Sequence, residues 1–202
     1  HRDLHSFPTR RSSDLALDLK NGAVDAVVLD ELPARKIVEQ NADLAIVEDD
    51  FATEEYSIAV QKGNTDLLDS INATIDDMKT NGEYEALVNA FMPVDGIIVI
   101  PETIKTSGDL LKMGTNAAFA PFEYIDGVKK VGFDITMSEN IAQDAGMKLE
   151  VVDMAFDSLI GALQAGQIDF IAAGMSVTPE RQKNVDFSQP YYSSKQVIIV
   201  RK

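Results

Sequence analysis

The chain has 202 residues, 45% of them hydrophobic, with 33 acidic against 18 basic side chains and no cysteine. That is enough apolar material for one sizeable core or two small ones, and no apolar run reaches the roughly 18 residues that a membrane span needs. A formal net charge of −15 repels phosphate backbones and argues against nucleic-acid binding. Thiol catalysis, disulfides and cysteine metal sites are excluded. With the two histidines at His1 and His5, a histidine-centred metal or acid–base site is hard to assemble.

Residues 1–15 (HRDLHSFPTRRSSDL) carry half of the arginines and show neither a helical nor an alternating apolar pattern. They lack the apolar stretch of an export signal. The segment resembles translated sequencing-adaptor sequence, with a disordered basic tail as the alternative, and is expected to be non-native or disordered. Residues 17–20 read as a helix end closed by Asn21-Gly22, and residues 24–29 as a strand. Short strands are predicted over 44–47 and 56–60. A helix capped by Asn64 or Thr65 follows, with Leu67, Leu68, Ile71, Ile75 and Met78 on one face. Asn81-Gly82 breaks it, a shorter helix covers 84–91, and 93–96 is a linker.

Beyond the linker, a strand over 111–114 runs into the aromatic loop Phe119-Ala-Pro-Phe-Glu-Tyr124. A helix is predicted over 133–145, a strand over 149–152, a helix capped by Asp157 and a buried strand over 168–173. A last strand covers 196–200. Strand–helix alternation of this kind argues for α/β architecture with a largely parallel sheet. Residues 19–25 (LKNGAVD) echo residues 163–169 (LQAGQID), as two lobes of similar design, or two ordinary βα units, would.

Three stretches carry chemistry. In Ala173-Gly-Met-Ser-Val-Thr-Pro-Glu-Arg181 a buried strand ends at Gly174, and Thr178-Pro179 suits a helix start. The free N–H groups expected there favour an anion. An arginine in the first turn is explained either by a two-pronged grip on a carboxylate or by a surface partner. The aromatic loop offers Phe119, Phe122 and Tyr124 as a wall for a ligand, or as core. Asp30 stands just past a strand's C-terminal end, where open α/β sheets bind ligands; it could hold an ammonium group or cap the next helix.

Together these stretches resemble the polar amino-acid-binding proteins of ABC importers, the family 3 solute-binding proteins. The resemblance runs through Gly114-Thr-Asn-Ala-Ala-Phe-Ala-Pro-Phe-Glu-Tyr124, Gly132-Phe-Asp-Ile135, Phe156-Asp-Ser-Leu-Ile160, Gly174-Met-Ser-Val-Thr-Pro-Glu-Arg181 and Val185-Asp-Phe-Ser-Gln-Pro-Tyr-Tyr192. Thr136 stands where the family's signature normally has an acid. Residues 16–92 separately resemble the family's C-terminal part, through Val24-Asp-Ala-Val-Val-Leu-Asp30, Ala52-Thr-Glu-Glu-Tyr56 and Lys62-Gly-Asn-Thr65.

The resemblance implies a periplasmic-binding-protein-like fold, a two-lobed clamp with two crossover strands. Arg181 and Ser176 would bind a ligand's α-carboxylate. The Gly174 carbonyl and Asp30 would hold its α-ammonium, and Phe119 and Phe156 would flank its side chain. Asn116 matches a position that is acidic in relatives selective for cationic amino acids, which points to a neutral ligand such as glutamine. No catalytic residue, metal or cofactor is implied. The implied partners are a polar amino acid and an importer permease, either separate or fused in a longer chain, with no nucleic acid and no membrane insertion by this segment. The implied location is periplasmic or extracellular, held at the membrane by an anchor or fused permease.

The order of the segments is reversed relative to the family, as expected for a fragment across a tandem-domain junction or for a circular permutation. Lobe 1 is then complete in permuted order and lobe 2 partial. Residues 16–55 form part of lobe 2, residues 56–92 a crossover strand and the C-terminal helices of lobe 1, and residues 97–202 the rest of lobe 1 with a second crossover strand. Two other functions use the same fold: a cyclohexadienyl-type dehydratase, with Glu123, Glu180 and Asp30 as the acids nearest the cleft, and the sensing domain of a signalling receptor.

Overall fold

A computed structural model describes residues 12–93 and 96–202. Most of the 1–15 segment and the centre of the 93–96 linker thus lie outside the described residues. From Ser12 the chain is helical: α1 (Ser12–Lys20) precedes β1 (Ala26–Asp30), α2 (Glu31–Gln40), β2 (Leu44–Tyr56), β3 (Ala59–Gln61), α3 (Thr65–Asn81) and α4 (Glu83–Phe91). The boundary expected at residue 15 falls inside α1, whose Ala16 and Leu19 are buried against α2 and β1. Residues 97–109 form no regular element. Next come β4 (Leu110–Thr115), the hairpin β5 (Tyr124–Asp126) and β6 (Lys129–Val131), α5 (Phe133–Asp144), β7 (Lys148–Asp153), α6 (Phe156–Gln164), β8 (Phe170–Ile171), β9 (Val185–Phe187) and β10 (Tyr192–Arg201).

Two sheets organise these elements. A five-stranded sheet has the order β7-β4-β8-β3-β9. β4 is parallel to both β7 and β8, whereas β3 runs antiparallel to β8 and β9. The sheet is therefore mixed where a largely parallel one was expected, because its fourth strand enters from the opposite end. The apolar stripe of α3 buries Ile71, Ile75 and Met78 in the main core with Phe122, Phe133, Phe170 and Tyr191, and the Asn64 side chain accepts from Leu67 N at 3.4 Å as the expected cap. A second cluster packs α6 through Leu159 and Leu163 against Ile168, Ile171 and Met175.

The smaller sheet is antiparallel, with β10 between β1 and β2. Its core is Leu19, Ala34, Ile37, Leu44, Val197 and Ile199. The two strands expected at 44–47 and 56–60 are divided differently: β2 is continuous to Tyr56, and the break comes at Ser57-Ile58. There the chain changes sheets. Ser57 N donates to Met175 O at 3.0 Å and Ile58 N to Ser188 Oγ at 2.9 Å, and β3 then joins the larger sheet.

Candidate functional site

The corner from Gly174 to Arg181 lies past the C-terminal end of β8. Gly174 has φ +52, and a Cβ there would sit 2.8 Å from Phe119 Cε1, so a side chain is barred both by backbone conformation and by the aromatic wall. Its N–H donates to Asp134 Oδ2 at 2.9 Å. The helix expected after Thr178 is absent: only a 3₁₀ turn forms, Arg181–Lys183. β9 begins at Val185 and must pair with β3, which leaves room for a single tight turn, and the helix-dipole argument for an anion falls with it. The cap itself survives, since Arg181 N donates to Thr178 Oγ1 at 3.2 Å.

Arg181 is half-buried. Its Nη1 donates to Ser176 O at 2.8 Å and its guanidinium carbon lies 5.2 Å from the Phe156 ring centroid. Burial lowers its pKa, and the carboxylates of Glu54, Asp157 and Glu180 oppose that shift. The Ser176 hydroxyl is held by Glu54, an acid on β2 that sequence reasoning passed over. Gln196 Nε2 donates to the other oxygen of Glu54 at 2.7 Å. Glu54 thus sits where the two sheets meet, between Arg181 on one side and Asp30 on the other.

Asp30 ends β1 and stands at the N-cap of α2, yet its side chain makes no capping bond. It is buried, its Oδ1 has no hydrogen-bond partner, and burial raises its pKa, with the Glu54 carboxylate adding to the shift and the Ser194 and Tyr56 hydroxyls opposing it. Phe119 is half-buried beside Tyr56, centroids 6.4 Å apart, and stacks on Phe122 at 5.8 Å. Phe122 is core, fully buried among Tyr56, Phe133 and Tyr192. Asn116 Nδ2 donates to Met154 O at 2.7 Å, which leaves its amide oxygen as the remaining acceptor. Glu123, expected among the acids nearest the cleft, is 1% exposed. The loop folds back on itself through paired Phe119–Glu123 backbone bonds, and this turns the carboxyl into the core.

Arg181, Ser176, Gly174, Phe119, Phe156 and Asn116 thus gather around one end of the larger sheet. Asp30 belongs to the smaller sheet and reaches the group through Tyr56 and Glu54. A cavity of about 460 Å³ between Leu32, Ile46, Phe91, Met92, Ile98 and Pro121 includes none of these seven residues.

Residues 111–202 match the family described as bacterial extracellular solute-binding proteins, family 3. The arginine-binding extracellular protein ArtP of Bacillus subtilis is 48% identical over 92 residues, 46% of this chain and 36% of ArtP. An ancestral arginine-binding protein solved with glutamine is 48% identical, with 43% of this chain and 39% of that one covered and a TM-score of 0.41. The arginine-bound form of domain 1 from TmArgBP is 40% identical over 46% of this chain and 80% of that one, with a TM-score of 0.41. Over residues 111–202 the chain belongs to the family 3 bacterial extracellular solute-binding proteins, and it spans about a third of the length of ArtP, at 36%.

Proposed function

We propose that the Gly174–Arg181 corner and Asp30 form a clamp for the α-carboxylate and α-ammonium groups of a polar amino acid, which is delivered outside the cytoplasm to an ABC importer. The observation that carries this reading is Arg181: a half-buried cation fixed to Ser176 O, facing Phe156 and the carboxylate of Glu54. An incoming carboxylate takes the place of Glu54 on the Ser176 hydroxyl and pairs with the guanidinium. Gly174 O and Asp30 hold the ammonium, and Phe119 and Phe156 flank the side chain. Among ligands, arginine comes ahead of glutamine. The Asn116 amide gives one N–H to Met154 O and keeps a second N–H as well as its oxygen, so this position suits a guanidinium as readily as a neutral amide, and the neutral-ligand argument from it loses its force. Relatives named for arginine support the same order. Segment order and the incomplete smaller sheet support a junction between two receptor units, each contributing part of the clamp.

The test is an NMR titration of the chain with millimolar arginine and glutamine. Shifts should cluster at Ser176, Arg181 and Phe119 and disappear in Arg181→Ala, with affinity weaker than about 1 μM because few lobe 2 contacts are present. Resonances at the corner that stay unmoved by both amino acids would refute the clamp.

A further inference from the structure

Two motifs beside the larger sheet, Phe122-Glu123-Tyr124 at the end of the aromatic loop and Phe133-Asp134-Ile135 in the first turn of α5, bring acids into the core. Phe133 N donates to Pro121 O at 3.1 Å and Asp134 N to Phe122 O at 2.9 Å, so the aromatic loop is latched onto the start of α5. Asp134 is fully buried and Glu123 is 1% exposed. Oδ2 of Asp134 accepts twice, from Gly174 N at 2.9 Å and from the Tyr191 hydroxyl at 2.7 Å. Its Oδ1 and Glu123 Oε2 have no donor, although the two carboxyl groups are in hydrogen-bonding contact with each other. Among the described residues no cation pairs with either acid. The titratable groups facing the pair are Tyr191, from the loop before β10, and Tyr56, from the end of β2. Both are phenols whose pKa burial raises, and they stay neutral.

Two buried carboxylates in contact, without a cation, are strongly unfavourable, whereas one proton between them satisfies both orphan oxygens at once. We propose that Glu123 and Asp134 share a single proton, and that this link makes Asp134 the positioning residue for the Gly174 corner. The consequence for ammonium binding rests on the clamp reading; the proton link itself does not. With the link in place Asp134 carries the charge that grips Gly174 N and the Tyr191 hydroxyl, while Glu123 is the donor. Burial pushes both acids up, Asp134 to about 6 and Glu123 further. The linked state therefore persists from around the first value upward until Glu123 ionises. Below it Asp134 is neutral and its hold on Gly174 weakens. Above the Glu123 transition two like charges drive the carboxyls apart. The two steps belong to the pair rather than to either acid alone.

Selective ¹⁵N-glycine labelling lets the Gly174 amide report the link over about pH 5 to 9 without any ligand. The amide proton should move downfield as pH rises through about 6 and shift again at higher pH. Glu123→Gln, whose amide still donates to Asp134, should lose only the upper step, and Asp134→Asn should lose both. A Gly174 profile that is flat in the wild type, or unchanged by Glu123→Gln, overturns the proposal. Glu123→Gln keeps the core volume, so the test stands even where Asp134→Asn fails to fold. Adding arginine separates the two claims: binding with a flat Gly174 profile sinks the proton link alone, and a two-step profile without binding sinks the clamp alone.

Discussion

Replacing Gly132 by alanine probes how the aromatic loop is fixed. Gly132 has φ 137 and ψ 174, a region open essentially to glycine alone, and forcing another residue into it costs about 1–3 kcal/mol. The added Cβ would lie 2.1 Å from Phe122 O and 2.9 Å from Glu123 N. These are backbone atoms that cannot rotate away, and overpacking of this kind costs about another 1–3 kcal/mol. Gly127, at the tip of the β5–β6 hairpin, is the control: its φ is +60, but a Cβ there meets nothing within 4 Å, so Gly127→Ala carries only the backbone penalty of about 1–2 kcal/mol. Urea unfolding at equal pH should show Gly132→Ala destabilised beyond Gly127→Ala by about 2 kcal/mol or more. Equal midpoints for the two variants would show that the loop is not pressed onto the α5 N-terminus, and would undercut the placement of Phe119 and Glu123 as well.

Glu54→Ala should strengthen arginine binding, by up to about tenfold, because the Ser176 hydroxyl and Arg181 lose an internal competitor; weaker binding in an NMR titration would show that Glu54 helps the ligand rather than competes with it. The buried acids also set a pH dependence. A carboxyl whose folded pKa is raised binds its proton more tightly in the folded state, so its contribution is greatest at low pH. That contribution is lost as pH rises from the ordinary carboxylate range through about 6 for Asp134 and beyond for Glu123. Urea midpoints taken at acidic and mildly alkaline pH should therefore fall more steeply in the wild type than in Glu123→Gln, and parallel slopes would contradict the raised Glu123.

Local signals in the sequence were good guides where burial and period coincide. The stripe of α3 with its Asn64 cap, and the strand ending at Asp30, are of this kind. The 13-residue β2 was legible only at its ends. Residues 48–55 contain five acids and no alternating apolar face; Ala52 to Glu55 pair with Gln196 to Ser193 of β10, a tertiary fact. The β5–β6 hairpin turns at Gly127-Val128, between the paired Asp126 and Lys129, and a glycine opening a two-residue turn is a hairpin signal, but its flanking runs are only three residues each, with Ile125 exposed. Thr178-Pro179 carries the chemistry of a helix start, and only the demand of β3 for Val185 shortens it to one turn. Glu54 lies in the Ala52-Thr-Glu-Glu-Tyr56 stretch that carries part of the resemblance, but within an acidic run nothing marks it as the carboxylate that reaches Ser176. Glu123 misled because a Pro-containing loop reads as surface.

The site is positioned by two strands rather than by either sheet alone. β10 pairs with β2 from Tyr192 to Gln196 and again from Ile198 to Arg201, and the register shifts between the two runs. A bulge bends a strand and sharpens its twist, and here it falls beside Gln196, the residue that pairs with Asp30 and holds Glu54. On one side of it Tyr192 packs on Phe122 and Phe133 in the larger core. On the other, Val197 and Ile199 fill the smaller core, and Arg201 donates to Leu19 O and Val24 O. Under the proposed clamp, a carboxylate that displaces Glu54 from Ser176 would act beside both strands that run from one core to the other, β10 and β2, the latter with Leu44 in the smaller core and Tyr56 in the larger. Binding energy released there would change the angle between the sheets without disturbing either core, as the proposed clamp requires of a hinge-type switch.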